Sequence, residues 1–105
     1  MNIKKILNKD LVLMDIKATE KSAVIEELAN FLCKSNKIKN IEDVTSAIKL
    51  REEKMTTGIQ AGVAIPHGKC SKLKEIKACV CISKKGIDFN ALDKKPSNIF
   101  IVTVS

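Results

Sequence analysis

Met55-Thr56-Thr57-Gly58-Ile59-Gln60-Ala61-Gly62-Val63-Ala64-Ile65-Pro66-His67-Gly68 is the stretch whose reading decides the fold. Its first half is a loop of small residues. Its second half is a small, apolar run that reads as a brief buried strand, with Pro66-His67-Gly68 as its exit into a loop. The only histidine of the chain therefore stands at a strand end, where open α/β sheets gather their ligands. Imidazole can act as a neutral nucleophile near neutral pH. A loop histidine with no role is the plain alternative, and the surrounding sequence decides between them.

Upstream, Ile41, Val44, Ala47, Ile48 and Met55 recur at helical spacing, which predicts a helix over 41–54 with Asn40 as its cap. At about 100° per residue Arg51 falls inside this stripe. It is the single arginine of the chain. A guanidinium on a buried face is costly unless it is paired or reaches a functional cavity. The alternative is a helix that frays at Leu50 and lets Arg51 snorkel to solvent. Further upstream, residues 11–16 read as a strand and residues 20–35 as a helix capped by Thr19. Val24, Leu28, Phe31, Leu32 and Ser35 form the core face of that helix. Ile3, Ile6 and Leu7 suggest a short N-terminal helix.

Downstream, residues 76–83 read as a strand with Cys79 and Cys81 on one face. Lys84-Lys85-Gly86 reads as a turn and Ile87-Asp88-Phe89 as a brief extended piece. Residues 98–104 form a strand with no polar face at its centre, which suits the middle of a sheet covered on both sides. The order of elements predicts one α/β domain over residues 1–105, a mixed β-sheet flanked by helices. A last strand this apolar calls for a following element. The domain is thus expected to be incomplete at its C-terminus, with an apolar patch that favours self-association.

Composition narrows the function classes. The 105 residues are 45% hydrophobic and 30% charged, with a net charge of +7. The lysines are scattered, arginine appears once, and there is neither tryptophan nor tyrosine. That pattern argues against a nucleic-acid reader and fits a solvated surface open to acidic protein partners. No apolar run approaches the roughly 20 residues that span a bilayer, so no membrane insertion is expected. The cysteines Cys33, Cys70, Cys79 and Cys81 form no CxxC pair. Three lie among apolar neighbours, as reduced thiols in a cytoplasmic chain would. His67 and Cys70 supply only two of the four ligands a zinc site needs, so no metal is expected.

The run from Arg51 through Glu52, Thr57-Gly58-Ile59 and Gly62-Val63-Ala64-Ile65-Pro66-His67-Gly68 resembles the active-site signature of the type-2 enzyme IIA domains of the phosphoenolpyruvate-dependent sugar phosphotransferase system. That is the fructose/mannitol family, which includes the nitrogen-regulatory IIA proteins. Gly86-Ile87-Asp88-Phe89-Asn90-Ala91-Leu92-Asp93 is similar to the family's next stretch. Two departures stand out: Gln60-Ala61 replaces a glycine and a polar residue, and the family's second functional histidine would fall beyond Ser105.

The resemblance implies a phosphohistidine carrier that accepts a phosphoryl group from HPr and passes it to a IIB domain or a regulatory target. His67 would be phosphorylated at Nε2, and Arg51 would neutralise the phosphate. Phosphoryl transfer depends on positioning and positive charge, which a guanidinium supplies with two donors. Thr57, Gly58 and the nearby loop N–H groups could donate to the phosphate, or simply be small turn residues. No cofactor is implied, and the chain has no P-loop. The alternative within the resemblance is a nitrogen-regulatory protein acting through its phosphorylation state.

Overall fold

A computed structural model describes residues 8–105 of the chain. The short helix expected around Ile3, Ile6 and Leu7 lies outside the described residues. The first described element is a 3-10 turn, Lys9–Leu11, capped by the Asn8 side chain. It leads into β1, Val12–Leu13. This strand is shorter than the one expected over 11–16, because Leu11 closes the turn and buries its side chain in the core. Ile16 still donates to the Ile82 carbonyl at 2.9 Å.

Helix α1 spans Lys21–Asn36. Glu20, not Thr19, occupies the N-cap, and no side chain caps the turn there. Val24, Ile25, Leu28, Ala29, Leu32 and Cys33 are buried, so the inward face is turned from the expected one and leaves Phe31 and Ser35 half-buried. Helix α2 spans Ile41–Lys54, as its apolar period predicts. Its inward residues are Val44, Ile48 and Glu52. Arg51 is half-buried, and Ile41 and Met55 are exposed.

The sheet has five strands: β1, β2 (Val63–Ala64), β3 (His67–Gly68), β4 (Lys77–Ile87) and β5 (Ser97–Val104). β1 pairs parallel with β4, β4 antiparallel with β5, and β2 and β3 both parallel with β5. Two expectations change here. Lys84-Lys85-Gly86 is not a turn: β4 runs through it to Ile87, with an irregularity in the pairing between Ile82 and Ile87. Pro66-His67-Gly68 is not the exit from a strand either. Pro66 cannot donate to the ladder and splits the edge in two, but its carbonyl accepts the Thr103 N–H at 3.1 Å and pairing resumes at His67.

Both helices pack on one face of the sheet, over Cys79, Cys81, Phe100, Val102 and Val104. Phe89 and Phe100 meet edge to face in this core, centroids 5.1 Å apart. Gly68 faces α2, where an added Cβ would lie 2.8 Å from the Ala47 carbonyl carbon. Only glycine admits the helix backbone so close to the strand. Strand alternation puts Val80, Ile82, Ile99 and Ile101 on the other face, partly covered, with Ile99 41% exposed. The strand is apolar on both faces, as read, yet the described residues cover only one of them with helices.

Candidate active site

His67 pairs in register with Thr103, so strand alternation puts it on the face away from the helices. Its Nδ1 lies 2.8 Å from the Ile65 carbonyl oxygen. A carbonyl can only accept, so this contact assigns the ring proton to Nδ1. In the neutral ring Nε2 then carries the lone pair. The site presents a half-buried imidazole on the sheet's outer strand, with its lone-pair nitrogen defined by a backbone bond.

Arg51 lies on α2, the helix that packs against this strand at Gly68. Ala47 touches Gly68, and Arg51 stands four residues further along α2, about 6 Å. In this structure the guanidinium donates from Nη1 to the Met55 carbonyl at 2.7 Å. That bond closes the C-terminus of its own helix. No described hydrogen bond links Arg51 to His67. Each side chain is held by its own backbone carbonyl, His67 by Ile65 and Arg51 by Met55.

Thr57 is buried, and both its donors go to Glu52: N–H to Oε2 at 2.8 Å and hydroxyl to Oε1 at 2.5 Å. Gly58 is buried against Ala91, whose Cα would lie 2.9 Å from an added Cβ. Its N–H reaches the Thr56 hydroxyl at 3.1 Å, and its carbonyl accepts from Leu92. In this arrangement the two expected phosphate donors form the frame of the loop. Further bonds tie that loop to the histidine strand: Ile65 N–H to the Thr57 carbonyl at 3.0 Å and Ile59 N–H to the Val63 carbonyl at 2.9 Å.

Gln60-Ala61 departs from the usual pattern, yet the loop closes tightly. Ala61 and Gly62 both take positive φ, 54° and 78°, and Val63 N–H returns to the Gln60 carbonyl. Two left-handed central residues are what a type I′ turn needs. The Ala61 N–H is held by Asp93 at 3.1 Å.

Glu52 stands in the signature run, but its sequence context gave it no role of its own. Its side chain is 3% exposed and pairs with Lys21 at 3.1 Å, and Lys21 also sits 4.7 Å from the Phe89 ring centroid. The signal available was the spacing Val44, Ile48, Glu52, which continues the buried face in steps of four. The thiols lie elsewhere. Cys79 and Cys81 are buried with sulfurs 3.8 Å apart, and this contact, followed by burial, pushes the Cys79 thiol well up. Among the described residues no group of three or more His, Cys, Asp or Glu side chains could hold a metal. No helix there is long and apolar enough to cross a membrane.

Comparison with known proteins shows the family and the fold. Residues 5–105 match the family model described as "Phosphoenolpyruvate-dependent sugar phosphotransferase system, EIIA 2". The fructose-specific EIIABC component of Bacillus subtilis is 33% identical over 99 residues, covering 94% of this chain and 16% of that protein. The crystal structure of the nitrogen regulatory protein IIA-Ntr from Neisseria meningitidis superposes with a TM-score of 0.88 at 26% identity, covering 97% of this chain and 69% of that one. The mannitol enzyme IIA from Escherichia coli, solved in complex with phosphorylated enzyme IIB, shares the fold with a TM-score of 0.79 at 18% identity, covering 92% and 68%. This chain thus spans about a sixth of the multidomain fructose component and about two thirds of the two solved chains. A match over nearly all its length makes the chain a member of the type-2 EIIA family of the phosphoenolpyruvate-dependent sugar phosphotransferase system.

Proposed function

We propose that this domain is a cytoplasmic phosphohistidine carrier of the sugar phosphotransferase system. It takes a phosphoryl group from HPr on Nε2 of His67 and passes it to a IIB domain. The observation that carries the reading is the bond from His67 Nδ1 to the Ile65 carbonyl, which leaves Nε2 as the lone-pair nitrogen. In the transfer, the P–N bond of the donor phosphohistidine breaks as a P–Nε2 bond forms. The proton on Nδ1 stays where the carbonyl holds it. Little covalent work is asked of the protein, so positioning and charge carry the catalysis.

Arg51 is the charge in this reading. It exchanges the Met55 carbonyl for the phosphate oxygens, which requires the guanidinium to leave the end of its own helix. Thr57 and Gly58 belong to the phosphate site as the loop beside it, held in shape by Glu52 and Ala91.

Incubation with enzyme I, HPr and phosphoenolpyruvate tests the proposal. The chain should acquire an acid-labile, alkali-stable phosphate that His67→Ala abolishes. Phosphate persisting on that variant would sink it.

A second reading has its own support: the likeness to a nitrogen regulatory protein, with a TM-score of 0.88. On that reading the same phosphohistidine signals rather than feeds transport. Transfer of phosphate onward to a IIB domain in a reconstituted relay favours the carrier. A phosphorylated chain that no IIB domain discharges favours the regulator.

A further inference from the structure

The bonds of the buried Glu52 lead, one after another, to the imidazole. Lys21 Nζ meets Oε2 at 3.1 Å. Thr57 is gripped at two points, its N–H on Oε2 and its hydroxyl on Oε1. The Thr57 carbonyl, on the next peptide group of this anchored residue, accepts the Ile65 N–H at 3.0 Å. The Ile65 carbonyl in turn accepts from His67 Nδ1 at 2.8 Å. The series is continuous from an ion pair to a ring nitrogen.

A buried carboxylate is costly, and here three donors offset the cost. An apolar side chain at position 52 would fill the space on the core side of α2. It could not hold Thr57 at two points. The coupling is mechanical rather than electronic, because the bonds enter and leave Thr57 and Ile65 through different peptide groups. What it transmits is orientation.

The geometry points to Glu52 as the positioning residue of the site: with Lys21 holding its carboxylate, it clamps Thr57 and so fixes the carbonyl that keeps the His67 proton on Nδ1. The benefit to phosphoryl transfer rests on the reading of His67 as the acceptor. The clamp itself does not.

The test reads the tautomer in the unphosphorylated chain. Long-range proton–nitrogen correlation of the 15N-labelled protein at about pH 8, where an ordinary histidine is neutral, distinguishes the two ring nitrogens. In the unaltered chain Nδ1 should carry the proton. Glu52→Gln keeps the size and removes the charge. It should raise the ratio of Nε2–H to Nδ1–H about two- to tenfold, the range one hydrogen bond sets. Thr57→Val keeps the backbone N–H and loses the hydroxyl, so its shift should be smaller and in the same direction.

A purely structural Glu52 would lower the melting temperature and leave the tautomer ratio untouched, and that result would overturn the clamp. If Glu52→Gln fails to fold, Thr57→Val decides alone, and an unchanged ratio there overturns it equally. An unaltered chain with the Nδ1 proton and shifted variants that takes no phosphate from HPr would keep the clamp and remove the carrier reading. The two ideas therefore fail separately.

Discussion

Gly68→Ala adds one methyl group between the histidine strand and α2. The ideal Cβ would lie 2.8 Å from the Ala47 carbonyl carbon, 2.9 Å from Ile48 N and 3.0 Å from Ala47 Cβ. Contacts at ordinary van der Waals separation need about 3.5 Å or more, so strand and helix must part by roughly 0.7 Å. The first two obstacles are helix backbone, which cannot swing aside as a side-chain tip can. Overpacking of this kind costs about 1–3 kcal/mol. Alanine also restricts the unfolded chain, which returns about 0.4–1 kcal/mol. The net expectation is a loss of roughly 1–2 kcal/mol, or about 4–8 °C in melting temperature for each kcal/mol. Urea denaturation checks it, with an unchanged m value showing that the two end states are the same. The same displacement acts on the functional geometry, because Arg51 stands one helical turn from the point of contact. Phosphate uptake should therefore slow more than the folded fraction falls, since a misplacement near 1 Å can cost up to about a hundredfold. A variant as stable as the unaltered chain within about 0.5 kcal/mol would refute the close approach of α2 to this strand.

Arg51→Ala removes the bond to the Met55 carbonyl, an exposed contact worth at most about 1 kcal/mol, while phosphorylation should slow by a much larger factor. Arg51→Lys should restore charge without the two-pronged grip and recover only part of the rate in a phosphotransfer assay. The raised thiol of Cys79 predicts a stability that is full below the ordinary thiol value of 9.0. As pH rises beyond it the unfolded thiol ionises first, so stability should fall. Urea midpoints across that range check this, and Cys79→Ala should flatten the fall.

Helix α2 was legible because Ile41, Val44, Ala47 and Ile48 repeat at helical spacing and Asn40 marks its start. The last strand was equally plain: seven of its residues leave no polar face at the centre. What escaped the sequence was long-range. Glu52 sits beside Glu53 and Lys54, so it reads as a solvated helix end. Its burial depends on Lys21, which lies 31 positions earlier, and on a loop that folds back over it. Pro66 reads as the end of a strand because it lacks a donor. Only the parallel partner β5, donating to the Pro66 carbonyl, makes it an interruption instead. Lys84-Lys85-Gly86 has turn composition, but β5 pairs with β4 on both sides of it and keeps it within the strand as an irregularity, with Gly86 at φ 86°. For the site, His67 could be singled out from its motif. Its tautomer could not, because that depends on a carbonyl two residues back pointing at the ring.

The central claim is that Nε2 of His67 carries the phosphate. Phosphorus and nitrogen resonance on the 15N-labelled chain, charged by enzyme I, HPr and phosphoenolpyruvate, tests it most directly. The account predicts a P–Nε2 coupling on the single histidine, with the proton still on Nδ1. Phosphate on Nδ1, or an acid-stable phosphate on a hydroxyl such as that of Thr57, would contradict it.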